Sequence, residues 1–167
     1  MYKYNIPLES CNKTRMEQKG TLTIVSSRDE EGKDIIDTTV NISDVEAITK
    51  KYDPTSGGWI YTIYTTDGNT TDARSVFNPS TETMFNEAAN PNYKFILKRL
   101  TLSKLNTVYI AIFHNNVQSI TIDDLYLGRN KSYIFTMSSG KEFVISNALI
   151  AEPGVISQLA EDSLLQT

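Results

Sequence analysis

Apolar and polar positions alternate with a period of two along most of this chain, the pattern of half-buried β-strands. In TLTIVSS (Thr21 to Ser27), Leu22 and Ile24 alternate with threonines, and DTTVNIS (Asp37 to Ser43) does the same through Val40 and Ile42. The charged stretch RDEEGKD between them contains Gly32 and reads as a hairpin loop. WIYTIYTT (Trp59 to Thr66) is aromatic and β-branched and meets Asp67-Gly68. That dipeptide is a strong hairpin signal, because a type I′ turn requires φ > 0 at both central residues. NTTDARSVF returns, and Asn78-Pro79-Ser80 opens a short helix through TETMFNEAA, since proline is tolerated at the first helical position.

The second half follows the same order. NTVYIAIF (Asn106 to Phe113) is a strand, His114-Asn115-Asn116 a tight turn, and VQSITID (Val117 to Asp123) a further alternating strand. SYIFTM (Ser132 to Met137) runs into Ser138-Ser139-Gly140, KEFVIS returns, and Glu152-Pro153 opens a second helix, PGVISQLAEDSLL. VNISDVEAI matches ITIDDLYL with Asp44 over Asp124, IYTIYTTDG matches SYIFTMSSG with Gly68 over Gly140, and Pro79 matches Pro153. The turn KKYDPTSGG, longer than GRNKS, absorbs the drift in spacing.

The pattern therefore predicts a mainly β (β-rich α+β) fold. Two similar four-stranded antiparallel units, each ending in a short helix, share a core as a pseudo-duplicated fold. The expected segments are an N-terminal arm (1–20), a first β-unit (21–90) and a second β-unit (91–167), which together form one compact domain or two. A unit this small buries little surface alone, so pairing two of them is a physical gain. The bridging segment Asn90 to Leu105 carries Phe95, Ile96, Leu97, Leu100 and Leu102. It is too apolar for a free linker and reads as a strand of one of the sheets.

Composition narrows the function classes. The chain has 167 residues, 40% hydrophobic and 22% charged, with a net charge of -4, which is ordinary for a globular protein and unlike a disordered or disulfide-stapled chain. Cys11 and His114 are the only cysteine and histidine. Neither a four-ligand zinc set nor an internal disulfide can be built from these two, and their surroundings do not make them a nucleophilic pair. No apolar run near the N-terminus has the length of a secretory h-region, and none approaches a membrane span. The expected setting is a virion or a host cytoplasm, with no membrane partner.

Charge is uneven. Residues 1–90 hold 9 Lys+Arg against 14 Asp+Glu, whereas residues 91–167 hold 7 against 6. Lys94, Lys98, Arg99 and Lys104 form the one sustained basic stretch. With Tyr93 it is the candidate for nucleic-acid contact, weighed against a solvated strand edge on which lysine discourages sheet-to-sheet sticking. Asp123-Asp124 and Asp44 with Glu46 are acidic pairs. Adjacent strand residues diverge, so they read as turn chemistry past strand ends rather than as a metal site. No phosphate-loop motif is present, and the sequence calls for no cofactor and no catalytic residue.

What remains is contact chemistry. Tyr2, Tyr4, Ile6 and Leu8 alternate in the arm, so it is able to add as an edge strand to its own sheet or a neighbour's. Trp59, Tyr61 and Tyr64 are anchors if exposed and core if buried. The leading expectation is a non-enzymatic structural or assembly protein, a virion component of a tailed bacteriophage, with protein partners and a homo-oligomeric or larger assembly. Its partner-binding residues would be Tyr2, Tyr4, Trp59, Tyr61, Tyr64, Lys94, Lys98, Arg99 and Lys104. The alternatives are a small intracellular protein that sequesters a ligand or inhibits a host factor, and a nucleic-acid-binding protein.

Overall fold

The computed structural model describes residues 2–7, 20–88, 96–100, 107–113, 116–125 and 130–146. The second helix, Cys11, His114, Lys94 and Lys104 lie outside them. Among the described residues the fold is mainly β, with antiparallel pairing throughout and one α-helix.

A five-stranded sheet forms the middle layer. Its strands are β4 (Val45–Asp53), β5 (Gly58–Thr65), β6 (Thr70–Arg74), β7 (Ile96–Leu100) and β8 (Thr107–Ile112), in the order β6-β5-β4-β8-β7. It draws on both halves of the chain: β8 pairs with β4, Ala47 standing opposite Ile112 and Lys51 opposite Val108. The apolar bridging segment indeed supplies a strand, β7, opposite β8.

On one face of this sheet lie the hairpin β2 (Thr21–Arg28) and β3 (Asp34–Asn41) and the helix α1 (Pro79–Ala88). Leu22, Ile24 and Phe85 close a core there with Val45, Ile48, Tyr61, Ile63, Ala73, Ala111 and Phe113. Asn78 fixes the start of the helix. Its side chain accepts from Val25 N (2.8 Å) and donates to Val25 O and Arg74 O, which clips β2 to the helix.

The third layer is a four-stranded sheet in the order β1-β9-β10-β11, made of β1 (Tyr2–Pro7), β9 (Val117–Leu125), β10 (Asn130–Met137) and β11 (Glu142–Ser146). Its Val117, Ile120, Ile122, Tyr133, Phe135, Met137 and Ile145 pack on Ala47, Ile110 and Ile112 from the opposite face of the middle sheet. The arm thus adds β1 to β9 as an antiparallel edge strand.

Two features differ from the sequence pattern. KKYDPTSGG is not one long turn: β4 runs on to Asp53 and only the residues after it turn. Asp123 and Asp124 do not follow a strand end but lie within β9, opposite Lys3 and Tyr2. As a result Asp44 and Asp124 do not hold equivalent places. Asp44 sits in a 3-10 turn (Ile42–Asp44) before β4, and Asp124 sits near the far end of β9.

A constant spacing appears instead. β4, β5 and β6 have the bounds of β9, β10 and β11 shifted by 72 residues, as from Val45 to Val117. Core residues follow it: Val45 and Val117, Ile48 and Ile120, Tyr61 and Tyr133, Ile63 and Phe135, Ala73 and Ile145. Turn bonds follow it too. Thr66 N donates to Asp44 O (2.9 Å) and Ser138 N to Asn116 O (2.8 Å). Gly68 N donates to Thr65 O and Gly140 N to Met137 O, with φ of 87° and 90° at the two glycines.

Candidate functional site

The aromatic residues of β5 divide between the two faces of the middle sheet, as strand alternation requires. Tyr61 is fully buried and packs 5.6 Å from the Phe85 ring of α1, so it serves the core. Its hydroxyl has no hydrogen-bond partner among the described residues. Burial, with a smaller contribution from the Glu82 charge, pushes its pKa up to about 12. Trp59 is half-buried at the start of the strand, edge-on to Tyr52 (5.4 Å) and Tyr109 (6.1 Å). Lys50 Nζ stands 4.7 Å from its ring centre and within 6 Å of Tyr61 and Phe85. That cation–π cluster is closed by the chain's own lysine.

Tyr64 belongs to the other face. It lies edge-on to Phe143 of β11 (5.3 Å, 86°), with Lys141 Nζ 4.2 Å from its ring centre. Beside it a cleft of about 740 Å³ separates the middle sheet from the β10–β11 hairpin. Its polar lining includes Thr49, Lys51, Thr62, Asp72 and Lys141, and Thr62 Oγ1 donates to Asp72 (2.8 Å). The structure therefore does not bring Trp59, Tyr61 and Tyr64 to one surface.

The acidic pair Asp44 and Glu46 also separates. Glu46 is fully buried, and its carboxylate accepts from Ser139 N (2.6 Å) and Ser139 Oγ (2.7 Å). It holds the β10–β11 turn from β4, across 93 residues of sequence. Opposite it, Asn116 Nδ2 donates to Ser43 O and Val45 O, both at 2.8 Å. Sequence reasoning missed this pair of ties. The only local signal was an acid enclosed by apolar neighbours in VEAI, which in a buried strand must find a partner. Among the described residues, no three His, Cys, Asp or Glu side chains are grouped to hold a metal ion. No helix of the described residues is long and apolar enough to cross a membrane.

The remaining expected contacts lie on sheet edges. Tyr2 and Tyr4 of β1 stand opposite Asp124 and Ile122 of β9. Lys98 and Arg99 of β7, an outer strand of the middle sheet, stand opposite Tyr109 and Val108.

The placement of β1 repeats a placement inside the chain. β8 residues 108–112 lie against β4 residues 51–47, and β1 residues 3–7 lie against β9 residues 123–119. With β4 and β9 related by the 72-residue spacing, Tyr4 occupies on β9 the position of Tyr109 on β4. The same 72-residue shift sets β8 over β3. Among the described residues β3 pairs with β2 alone, and its Ile35 and Ile36 are 46% and 60% exposed.

Comparison with known protein families, curated proteins and solved structures finds no match.

Proposed function

We propose that this chain is a non-enzymatic assembly protein, a virion component of a tailed bacteriophage, that acts through sheet edges and its N-terminal arm. The observation that carries the reading is β1: an arm that joins β9 by strand addition, at the position where β8 joins β4. Main-chain pairing of this kind is a general mode of protein recognition. The exposed isoleucines of β3 add a second apolar edge. The 72-residue spacing of strands, core residues and turn bonds supports descent of the two β-units from one duplicated unit.

The test is the mass of the purified full-length chain by light scattering, alongside its presence in purified particles. A defined oligomer, or recovery with particles, supports the reading. A strictly monomeric protein absent from any particle overturns it.

The cleft between the sheets favours a second reading, a binding protein for a small polar ligand held by Lys51, Asp72 and Lys141. A thermal-shift screen against nucleotides separates the two, because a ligand at 100 times its Kd adds about 2.7 kcal/mol to stability. A flat screen counts against the second reading.

A further inference from the structure

We infer that β3 and β9 are the two halves of a head-to-tail contact between copies of this chain, and that β1 is the plug that covers β9 in the isolated molecule. The inference rests on the assembly reading above and deepens it by naming the partner as a second copy.

The pairing of β4 with β8 is the template. Inside one chain, a hairpin of the second β-unit (β7–β8) reaches across and completes the edge of a strand of the first (β4). Shifted by 72 residues, the strand equivalent to β4 is β9, and the hairpin equivalent to β7–β8 is β2–β3. The same relation continued beyond the chain places β3 of one copy on β9 of the next. Both ends of that contact exist on each molecule and differ from each other, so the contact is heterologous and propagates rather than closing as a two-fold dimer.

The template fixes the register. Ala47 opposite Ile112 and Lys51 opposite Val108 become Ser119 opposite Val40 and Asp123 opposite Ile36. Between them, Ile120 meets Thr39, Thr121 meets Thr38, and Ile122 meets Asp37. These are the β9 positions that β1 residues 3–7 occupy in the isolated molecule, so a second copy and the arm compete for one edge. The arm holds the advantage of its tether, because an attached strand acts at high effective concentration. β3 is at a further disadvantage there, because it would set Asp37 against Ile122, a buried position. With β3 paired to β2 alone among the described residues and β9 covered by β1, the chain is held back from running on until the arm is lifted.

The test uses the full-length chain. Tyr4→Pro/Asn5→Pro weakens β1, because successive strand residues alternate in where their N–H groups point and one of the two prolines must remove a ladder bond. Sedimentation velocity across a concentration series reads the outcome, with far-UV circular dichroism confirming the fold. The double-proline variant is expected to associate at a concentration about tenfold or more below that of the unaltered chain, since the competent population rises. Adding Asp37→Val strengthens association further. Adding Thr39→Lys, an exposed position in the isolated molecule, abolishes it. In a Cys11→Ser background, Thr38→Cys with Thr121→Cys should give an oxidative ladder of dimers, trimers and longer species.

A folded double-proline variant that stays monomeric overturns the inference. So does association indifferent to Thr39→Lys, or cross-linking that stops at the dimer or closes within one chain. If the unaltered protein is still recovered with particles in those cases, the head-to-tail contact fails while the assembly reading stands.

Discussion

Ser139→Ala tests the claim that Glu46 ties two layers of the fold together. The substitution removes one of the two donors to a fully buried carboxylate and leaves the Ser139 N–H in place. A hydrogen bond to a carboxylate contributes about 1.5–3 kcal/mol net, and an acceptor left unpaired in the interior costs a similar amount. Ser139 itself is half-buried, so water relieves part of the loss, and about 1.5 kcal/mol is the expected destabilisation. With a urea m-value of about 2 kcal/mol/M, the midpoint moves down by about 0.7 M at unchanged m. Glu46→Gln keeps the acceptor for Ser139 N and turns its amide toward Ser139 Oγ, which is able to accept, so its loss is the smaller one, about 0.5–1 kcal/mol. Because the residues touch, the double variant should show a coupling of about 1 kcal/mol. The competing account is that the turn is held without Glu46, through Met137 N to Lys141 O and Gly140 N to Met137 O within it and Ser138 N to Asn116 O outside it. On that account Ser139→Ala is silent. A midpoint shift below about 0.2 M, worth about 0.4 kcal/mol at that m-value, would show that the turn stands without Glu46 and that the carboxylate ties nothing together.

Four further outcomes are expected. Tyr61→Phe removes a buried hydroxyl that has no partner among the described residues and should stabilise the fold by about 1 kcal/mol; a urea midpoint lower than that of the unaltered chain refutes this. The same phenol has its pKa raised to about 12 in the fold from an ordinary value of 10.0, so its contribution to stability is complete below pH 10 and lost as pH rises toward 12, a loss that Tyr61→Phe should blunt in alkaline unfolding curves. Gly68→Ala and Gly140→Ala meet open space but force a positive φ on an L-residue, and each should cost about 1–2 kcal/mol; markedly unequal costs in chemical unfolding would count against equivalent turns. Asp67, held below its ordinary pKa first by the Thr65 hydroxyl and then by Asn69 N–H, contributes stability present above the unfolded carboxylate pKa and lost as pH falls through the folded one. Asp67→Ala should therefore flatten the acid limb of the stability profile, and an unchanged limb contradicts it.

The hairpins and the helix start were legible because their signals are local. Asp67-Gly68, Ser139-Gly140 and Asn78-Pro79 mark a turn or a helix start wherever the chain goes next, although Asp67-Gly68 is not the central pair of a two-residue turn: Thr66 and Asp67 are central, and Gly68 follows in left-handed backbone. β4 was not legible as a strand, because a central strand covered on both faces loses the period of two. Val45, Glu46, Ala47 and Ile48 are buried in succession, and the lysines that follow resemble a turn. Missing β4 shifted the comparison of the halves, setting Asp44 over Asp124 where the common spacing sets it over Asn116. Long-range pairing carries no local signal either. Nothing in VEAITKKYD or TVYIAI announces that these two segments meet, and the arm's alternation left its partner strand open.

Burial along the strands also explains why contact between copies would be edge-on. β4 and β8 are partitions: Ala47, Ile110 and Ile112 serve one core, while Ile48, Ala111 and Phe113 serve the other. Such strands must be apolar on both faces, and neither core closes without them. β9 is built differently, with Ile120 and Ile122 buried and Ser119 and Thr121 half-exposed. β3 follows the same rule from its own side, Thr38 and Val40 half-buried and Asp37 and Thr39 exposed. A strand with one polar face has no second core to divide, so a neighbour gains little by stacking on it. What a neighbour gains is the main-chain donors and acceptors along a strand edge, which pairing satisfies. The chain closes its two cores with β4 and β8, and on the head-to-tail proposal the ladder bonds of β3 and β9 are what is left for joining copies.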